Sequence, residues 1–281
     1  MMKKSIFLAL FGALLLAALY VAAFPDIGVL KKTNPSKTSF MKFREAEWRA
    51  SGQKKKVRQV WVPLSGISPY LVKGIIIAED DKFWSHEGFD YEAIQEAIEK
   101  DLKSKKYKKG GSTISQQLAK NLYLSPEKSL LRKLREAVIT WKLERTLSKR
   151  RILEIYLNVV EWGDGLYGVE AASLYYFGKP ASQVTPMEAS RLVSVLPNPR
   201  KFKADGNQKY VLNRSEMIYQ IMVKRGIVVP EYEEVAREED SQGEALTHPP
   251  STAIPPADLP PATAPEPVSV PPSTSPPDDI H

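Results

Sequence analysis

Glu79 closes an uninterrupted apolar run, Ile75-Ile76-Ile77-Ala78, and is followed at once by Asp80 and Asp81 and, a short way on, by His86 and Gly88. A carboxylate at the end of an apolar segment is partly desolvated, which raises its pKa toward the range useful for taking a proton near neutral pH. Glu79 is therefore the first candidate for acid/base chemistry. An acidic run before a turn is also what an ordinary solvated helix end looks like, so its weight depends on the blocks downstream.

The second block runs Gly110-Gly111-Ser112-Thr113-Ile114-Ser115-Gln116-Gln117-Leu118-Ala119-Lys120-Asn121. Two glycines ahead of a helix let the backbone approach a ligand, and the N–H groups and partial positive charge of a helix N-terminus suit phosphate. Gln117, Lys120 and Asn121 are three and four residues apart and share one face, while Ile114, Leu118 and Leu122 share the neighbouring face and are expected in the core. The plain alternative is a glycine turn with a good cap. Lys103, Lys105, Lys106, Lys108 and Lys109, just upstream, add charge as a solvated loop or as a headgroup contact.

The third block, Arg132-Lys133-Leu134-Arg135-Glu136, puts Arg132 and Glu136 at i,i+4. That is the spacing of a surface ion pair, or of a second carboxylate held by arginine beside a phosphate site. Glu154 and Asn158 share the same spacing and are expected to tie helices together by buried hydrogen bonds. Two Ser-x-x-Lys strings, Ser51 with Lys54 and Ser125 with Lys128, lack the partner motifs of acyl-transfer sites and read as chance.

The elements that must hold these residues are mostly helices. Ser68-Pro69 opens one toward Asp80, Asp90 caps another through Lys103, and Thr113 with Gln116 has capping-box spacing for a third over Ile114 to Tyr123. Leu130 to Leu147 is longer, with Leu130, Leu134, Ala137 and Trp141 on one face. Arg151 to Trp162 and Gly168 to Phe177 follow, and Thr185-Pro186-Met187-Glu188 opens a helix closed by Pro197-Asn198-Pro199. Only Val57 to Leu64 reads as a short strand.

Ahead of this body, Lys3 and Lys4 precede an uncharged apolar stretch from Ile6 to Phe24. It is about long enough to cross a bilayer core of ~30 Å as a helix. The lysines predict an inside N-terminus and a body on the outer face of the cytoplasmic membrane. The expected organisation is a stub and anchor over 1–24, a polar basic connector over 25–56, a catalytic domain over 57–230, and an acidic then Pro-rich disordered tail over 231–281. The overall charge of +7 divides into −10 for residues 231–281 and +17 for the rest. A basic body beside a membrane suits anionic headgroups or an anionic lipid-linked substrate, and membrane tethering on the outer face argues against nucleic acid. The chain has no cysteine, which excludes disulfide frameworks, thiolate metal sites and thiol nucleophiles, and its 3 histidines leave little for a metal centre.

The blocks, in this order, resemble the motifs of the peptidoglycan glycosyltransferases of family 51, found in bifunctional penicillin-binding proteins and in monofunctional relatives. Glu79, Asp80, Phe83, His86 and Gly88 match the first motif, and Gly110 to Asn121 match the second except that Ser115 stands for Thr. Arg132, Lys133 and Glu136 match the third, and Glu154 to Asn158 the Glu-Ile-Tyr-Leu-Asn motif. The likeness covers roughly residues 57–227.

The resemblance implies a lysozyme-like α-helical domain with a small membrane-facing subdomain between the first two motifs, preceded by one transmembrane helix. It implies polymerisation of lipid II, with a lipid-pyrophosphate-linked glycan as donor and the GlcNAc 4-hydroxyl of lipid II as acceptor. By the same likeness Glu79 is the general base and Glu136 a second essential carboxylate. Lys120, Arg132 and Lys133 cradle pyrophosphate, Ser112, Thr113, Gln117 and Asn121 line the cleft, and His86 orients or supports. No cofactor is obligatory, although a divalent cation such as Mg can assist at the pyrophosphate. The partners implied are lipid II, the growing glycan, membrane lipids and other cell-wall synthases. Residues after Ile227 supply no transpeptidase domain by composition. A lytic glycosidase and an inactive scaffold of the same fold are the competing readings. A pyrophosphate cradle argues against the first, and intact Glu79 and Glu136 against the second.

Overall fold

Helix α2 (Pro69–Glu79) is an apolar rod whose Leu71, Gly74, Ile75 and Ile76 are buried, and it ends on Glu79. The computed structural model describes residues 11–12, 24–104, 111–127 and 129–229. Among the described residues the other α-helices bounded at both ends are α1 (Ser39–Ala50), α3 (Tyr91–Ser104), α4 (Ile114–Tyr123), α5 (Leu130–Thr146), α6 (Lys149–Val159), α7 (Val169–Phe177), α8 (Pro186–Val195) and α9 (Lys209–Lys224). A small sheet of β1 (Arg58–Gln59), β2 (Glu161–Gly163) and β3 (Leu166–Tyr167) has the order β1-β3-β2. Its β1 runs parallel to β3, and β2 and β3 form an antiparallel hairpin.

The local signals act as chemistry requires. Thr113 and Gln116 form a reciprocal capping box on α4, Thr185 and Glu188 form one on α8, and Asp90 accepts from the Ala93 N–H at 2.9 Å to start α3. Ile114, Leu118 and Leu122 are buried as expected. Helix α4 packs against α1, α5 and α6, and α2 packs against α8 and α9, so the segments carrying the first and second blocks are each clamped by other helices. Fully burying one such Leu or Ile side chain is worth about 1.5–3 kcal/mol.

Several expectations are corrected. The connector expected over residues 25–56 contains α1, capped by Thr38, with Met41 and Trp48 buried in the common core. The strand over Val57 to Leu64 shrinks to two residues, and Trp162 lies in β2 rather than at the end of a helix. Ser68 makes no side-chain cap, because its hydroxyl donates instead to the Val184 carbonyl at 2.8 Å. On α5 the periodic face of Leu130, Leu134 and Trp141 is exposed, while Glu136, Ile139, Thr140 and Leu143 point inward. Among the described residues no helix is long and apolar enough to cross a membrane. The anchor expected over Ile6 to Phe24 falls, apart from Phe11, Gly12 and Phe24, outside the described residues. So do Lys105, Lys106, Lys108, Lys109, Gly110, Lys128 and the tail from Pro230.

Candidate active site

The first block turns back on itself because Gly88 adopts φ +92, a left-handed conformation open to glycine, and a Cβ there would lie 2.9 Å from Glu144 Cγ. The turn brings His86 against Asp80, with Nε2 2.8 Å from Oδ1. The other ring nitrogen, Nδ1, accepts the Gly88 N–H at 3.0 Å, and Lys149 Nζ lies 3.5 Å from it. The proton of the neutral ring therefore sits on Nε2 and is donated to Asp80. His86 thereby links Asp80 to the Gly88 turn.

Asp80 is the hinge between the first two blocks. Its second oxygen accepts the Ile114 N–H at 2.9 Å, at the first turn of α4. Thr113 Oγ1 accepts the Gln116 N–H and donates to the Gly88 carbonyl at 2.7 Å, and Gln116 Oε1 accepts the Thr113 N–H at 3.0 Å. The helix N-terminus expected to bind phosphate is thus filled by the protein's own carboxylate and cap. A buried Asp80 placed at the positive end of the dipole already neutralises it.

Ser115 donates to Glu144, which also accepts from Lys149 at 2.8 Å. Lys149 in turn lies over the Phe83 ring at 4.6 Å. The Ser115 hydroxyl is part of the support beneath the first block.

The Glu79 side chain is only 14% exposed. Its Oε2 accepts from Gln117 Nε2 at 3.0 Å, and Gln117 Oε1 accepts the hydroxyl of fully buried Tyr156 at 3.0 Å. Arg214, on α9, reaches Glu79 Oε1 at 3.4 Å and the Ala78 carbonyl at 3.5 Å through the same nitrogen. Asn121 is buried and donates to the Gln117 carbonyl at 2.8 Å. A cavity of about 240 Å³ opens beside Glu79, and its walls include Ala78, Asp80, Lys82, Asp90, Ser112 and Thr113. Ser112 is exposed at that wall.

Glu136, buried on α5, accepts from Arg132 Nη1 at 2.7 Å and pairs with Lys133. Lys120 is half-buried on α4, with Nζ 5.7 Å from the centre of the Phe40 ring. Glu154 and Asn158 tie α6 to the stretch between β1 and α2, in which Leu64–Gly66 form a short 3-10 helix. Asn158 exchanges hydrogen bonds with both backbone groups of Val62, at 2.9 and 2.8 Å, and Glu154 accepts the Leu64 N–H at 3.0 Å.

Sequence reasoning missed two neighbours of Glu79. Tyr156 lies inside the Glu-Ile-Tyr-Leu-Asn motif, where a buried phenol needs a hydrogen-bond partner, and that need was a readable signal. Arg214 sits three residues after Val211 and four before Ile218, on the flank of the buried stripe of α9, so helical spacing alone directs a cation toward the core.

The family model described as transglycosylase matches residues 46–223. The chain is 50% identical over 196 residues to a biosynthetic peptidoglycan transglycosylase of Azoarcus sp., spanning 70% of this chain and 84% of that protein. It is 49% identical over 194 residues to the protein of that name in Nitrosospira multiformis, spanning 69% and 84%. With the one in Laribacter hongkongensis it shares 44% over 214 residues, spanning 76% and 93%.

Proposed function

The chain belongs to the transglycosylase family, and on that premise we propose that it is a peptidoglycan glycosyltransferase that polymerises lipid II into glycan strands. The observation that carries this reading is the Glu79 carboxylate, nearly enclosed at a cavity wall and gripped by Gln117 and Arg214. The relatives, biosynthetic peptidoglycan transglycosylases by name, support the same substrate class.

The donor is the growing chain linked to lipid pyrophosphate, and the acceptor is the GlcNAc 4-hydroxyl of lipid II. Glu79 takes the proton of that hydroxyl as its oxygen bonds to the anomeric carbon of the donor. The bond from that carbon to the pyrophosphate breaks on the opposite face, and the electron pair leaves with the lipid pyrophosphate, so the configuration inverts. Pyrophosphate is a good leaving group once its charge is stabilised, and Lys120, Arg132 and Lys133 supply that charge. Glu136 holds Arg132 and Lys133 in place. Ser112, Gln117 and Asn121 form the polar lining, and Thr113 fixes the helix behind it. A divalent cation such as Mg would add charge at the same oxygens.

The mostly helical body takes the lysozyme-like form in this reading, and it works on the outer face of the cytoplasmic membrane. Its anchor is the apolar stretch from Ile6 to Phe24, and it acts beside other cell-wall synthases. The low-complexity residues after the helical body have no composition for transpeptidation. Incubating the purified full chain with labelled lipid II tests the proposal. Glycan polymers that disappear in Glu79→Gln support it, and fragments released from finished wall, with none formed from lipid II, would overturn it in favour of a lytic enzyme.

A further inference from the structure

Lys149 is the first residue of α6, after the Ser148 cap, and Arg150 and Arg151 follow it. Cations at the positive end of a helix dipole cost stability, where carboxylates would add it. Arg151 is held by Glu154 and by the Leu30 and Thr33 carbonyls. Lys149 instead reaches back beneath the first block. Its side chain is only 19% exposed, and a lysine that deep is rare unless paired. Its Nζ lies 2.8 Å from Glu144 Oε1, 3.5 Å from His86 Nδ1 and 4.6 Å from the centre of the buried Phe83 ring. Glu144, on the last turn of α5, accepts from Ser115 of α4 through the same oxygen. It packs so closely under the turn that a Cβ at Gly88 would meet its Cγ. One carboxylate thus gathers α4, α6 and the first block around a single ammonium.

We propose that Lys149, anchored by Glu144, is a positioning residue for glycosyl transfer. The cavity beside Glu79 is walled by the end of α2 and its following turn, by α3 and by the approach to α4. Lys149 acts on it through His86 and Asp80. An ammonium only donates, so Lys149 and the Gly88 N–H both call for a lone pair on Nδ1. The ring N–H is then fixed on Nε2 and aimed at Asp80 Oδ1, while Asp80 Oδ2 accepts the Ile114 N–H. Asp80 directly follows Glu79, and Ile114 opens the helix whose Gln117 grips that base. A ring that turned over would loosen the end of α2 from α4 and shift the carboxylate relative to its amide. Misplacing a reacting group by about 1 Å can cost about 100-fold in rate. An ion pair serving only the junction of α5 and α6 would need neither a histidine nor an aromatic ring of the first block around its cation. The inference rests on the reading of Glu79 as the base.

Lys149→Met keeps an apolar stem over Phe83 and removes the cation, Lys149→Arg keeps a charged donor, and Glu144→Gln keeps an acceptor for Ser115 while losing the charge. Each is made in the full-length chain and assayed on labelled lipid II well below its unfolding midpoint, beside Glu79→Gln. Lys149→Met should lower kcat about 10-fold with KM within about twofold of wild type, because the lost contact orients the base and does not bind substrate. Lys149→Arg should regain at least about half of the lost rate, since it restores the donor and the charge. Glu144→Gln should lower kcat about threefold, again with KM unmoved, and so carries the same test should Lys149→Met fold poorly. Added to Lys149→Met it should cost nothing further, as two groups acting as one unit do. Wild-type kcat in Lys149→Met beside an inactive Glu79→Gln would overturn the inference and leave the catalytic reading standing. An active Glu79→Gln would remove that reading and the inference with it. Losses that multiply in the double variant, or that only follow the folded fraction, would also overturn it and mark the pair as a structural bridge.

Discussion

Gln117 Nε2 donates to Glu79 Oε2 at 3.0 Å across 38 residues of sequence, and the amide is oriented from behind by Tyr156. An amide has one donating and one accepting end, so a donor fixed on its oxygen leaves the NH₂ group for the carboxylate. Burial, with Glu79 and Asp80 nearby, pushes the Tyr156 phenol far above its ordinary pKa, so it remains a donor throughout the working range.

Tyr156→Phe keeps the ring in its packed site and removes only that donor. The Gln117 amide then loses its orientation, and we expect kcat for lipid II polymerisation to fall about 5–10-fold, matching the loss of roughly one net hydrogen bond. Gln117→Leu removes a hydrogen bond to a charged group and should lower kcat by about 10–100-fold. Steady-state kinetics alongside thermal unfolding separate these losses from misfolding. An unchanged kcat in Tyr156→Phe would show that the amide needs no support.

Arg214 sits against Glu79 Oε1 at 3.4 Å, and its Nε is buried without a hydrogen-bond partner. A nearby cation favours the ionised carboxylate, which is the form a general base needs. In Arg214→Gln the carboxylate loses that cation, so kcat/KM should be lost sooner on acidification than in the wild type. Arg214→Lys should restore part of the difference. A profile of unchanged shape with a lower plateau would mean that Arg214 acts on binding alone.

Glu136 neutralises two cations at once, Arg132 at 2.7 Å and Lys133 beside it. Glu136→Gln keeps the volume and leaves those cations facing each other without a counter-charge. Polymerisation should drop about 100-fold, and stability by about 1–3 kcal/mol from the lost charged hydrogen bonds. Arg132→Lys should not be neutral, since a point charge cannot reproduce the planar guanidinium. Radiolabelled lipid II turnover and urea unfolding measure the two effects. A Glu136→Gln variant with more than about half the wild-type rate would remove Glu136 from the chemistry.

Helices whose ends carry caps were readable: Thr113 with Gln116 and Thr185 with Glu188 set α4 and α8, and the contacts realise both boxes. Helix α1 was missed because its basic, polar residues hide two core anchors, Met41 and Trp48, among charges. Helix periodicity also misled on α5. It grouped Leu130, Leu134 and Trp141 correctly on one face, but period alone does not say whether a face meets the core or the outside. At the site, motif spacing brought out Glu79, Gln117 and the Arg132-Lys133-Glu136 cluster. It did not reveal that Asp80 fills the helix N-terminus, because that contact spans 34 residues and depends on the turn at Gly88. Ionic partners distant in sequence, such as Arg214 for Glu79, become visible only once α2 and α9 pack together.

Asp81 carries a pH signature distinct from the catalytic one. Arg225 grips it with two hydrogen bonds, at 2.5 and 2.9 Å, and holds its carboxyl below the ordinary aspartate pKa. A depressed carboxyl pKa gives stability that is complete above the unfolded value and is lost as pH falls through the folded one. The pair is half exposed, so its contribution is that of a good surface bridge, about 0.2–1 kcal/mol. Asp81→Asn should therefore lower the urea midpoint slightly at about pH 7 and leave it level with wild type at about pH 2. Equal midpoints at both values would show that the bridge gives nothing.

Asn158 is fully buried and satisfies the Val62 N–H and carbonyl together while donating to the Glu154 carbonyl at 2.8 Å. No other side chain of similar volume offers a donor and an acceptor from one plane. Asn158→Leu would leave both Val62 backbone groups without their partners, at about 1–3 kcal/mol for each buried group, and we expect a loss of about 2–5 kcal/mol in urea unfolding. Asn158→Asp should be comparably damaging, because a carboxylate can accept from the Val62 N–H but repels its carbonyl. The segment freed by either change leads into α2 and so to Glu79. Activity measured well below the unfolding temperature should fall in step with the freed segment's hydrogen exchange. Full activity with rapid exchange at Val62 and Leu64 would show that α2 is held by α8 and α9 without help from α6.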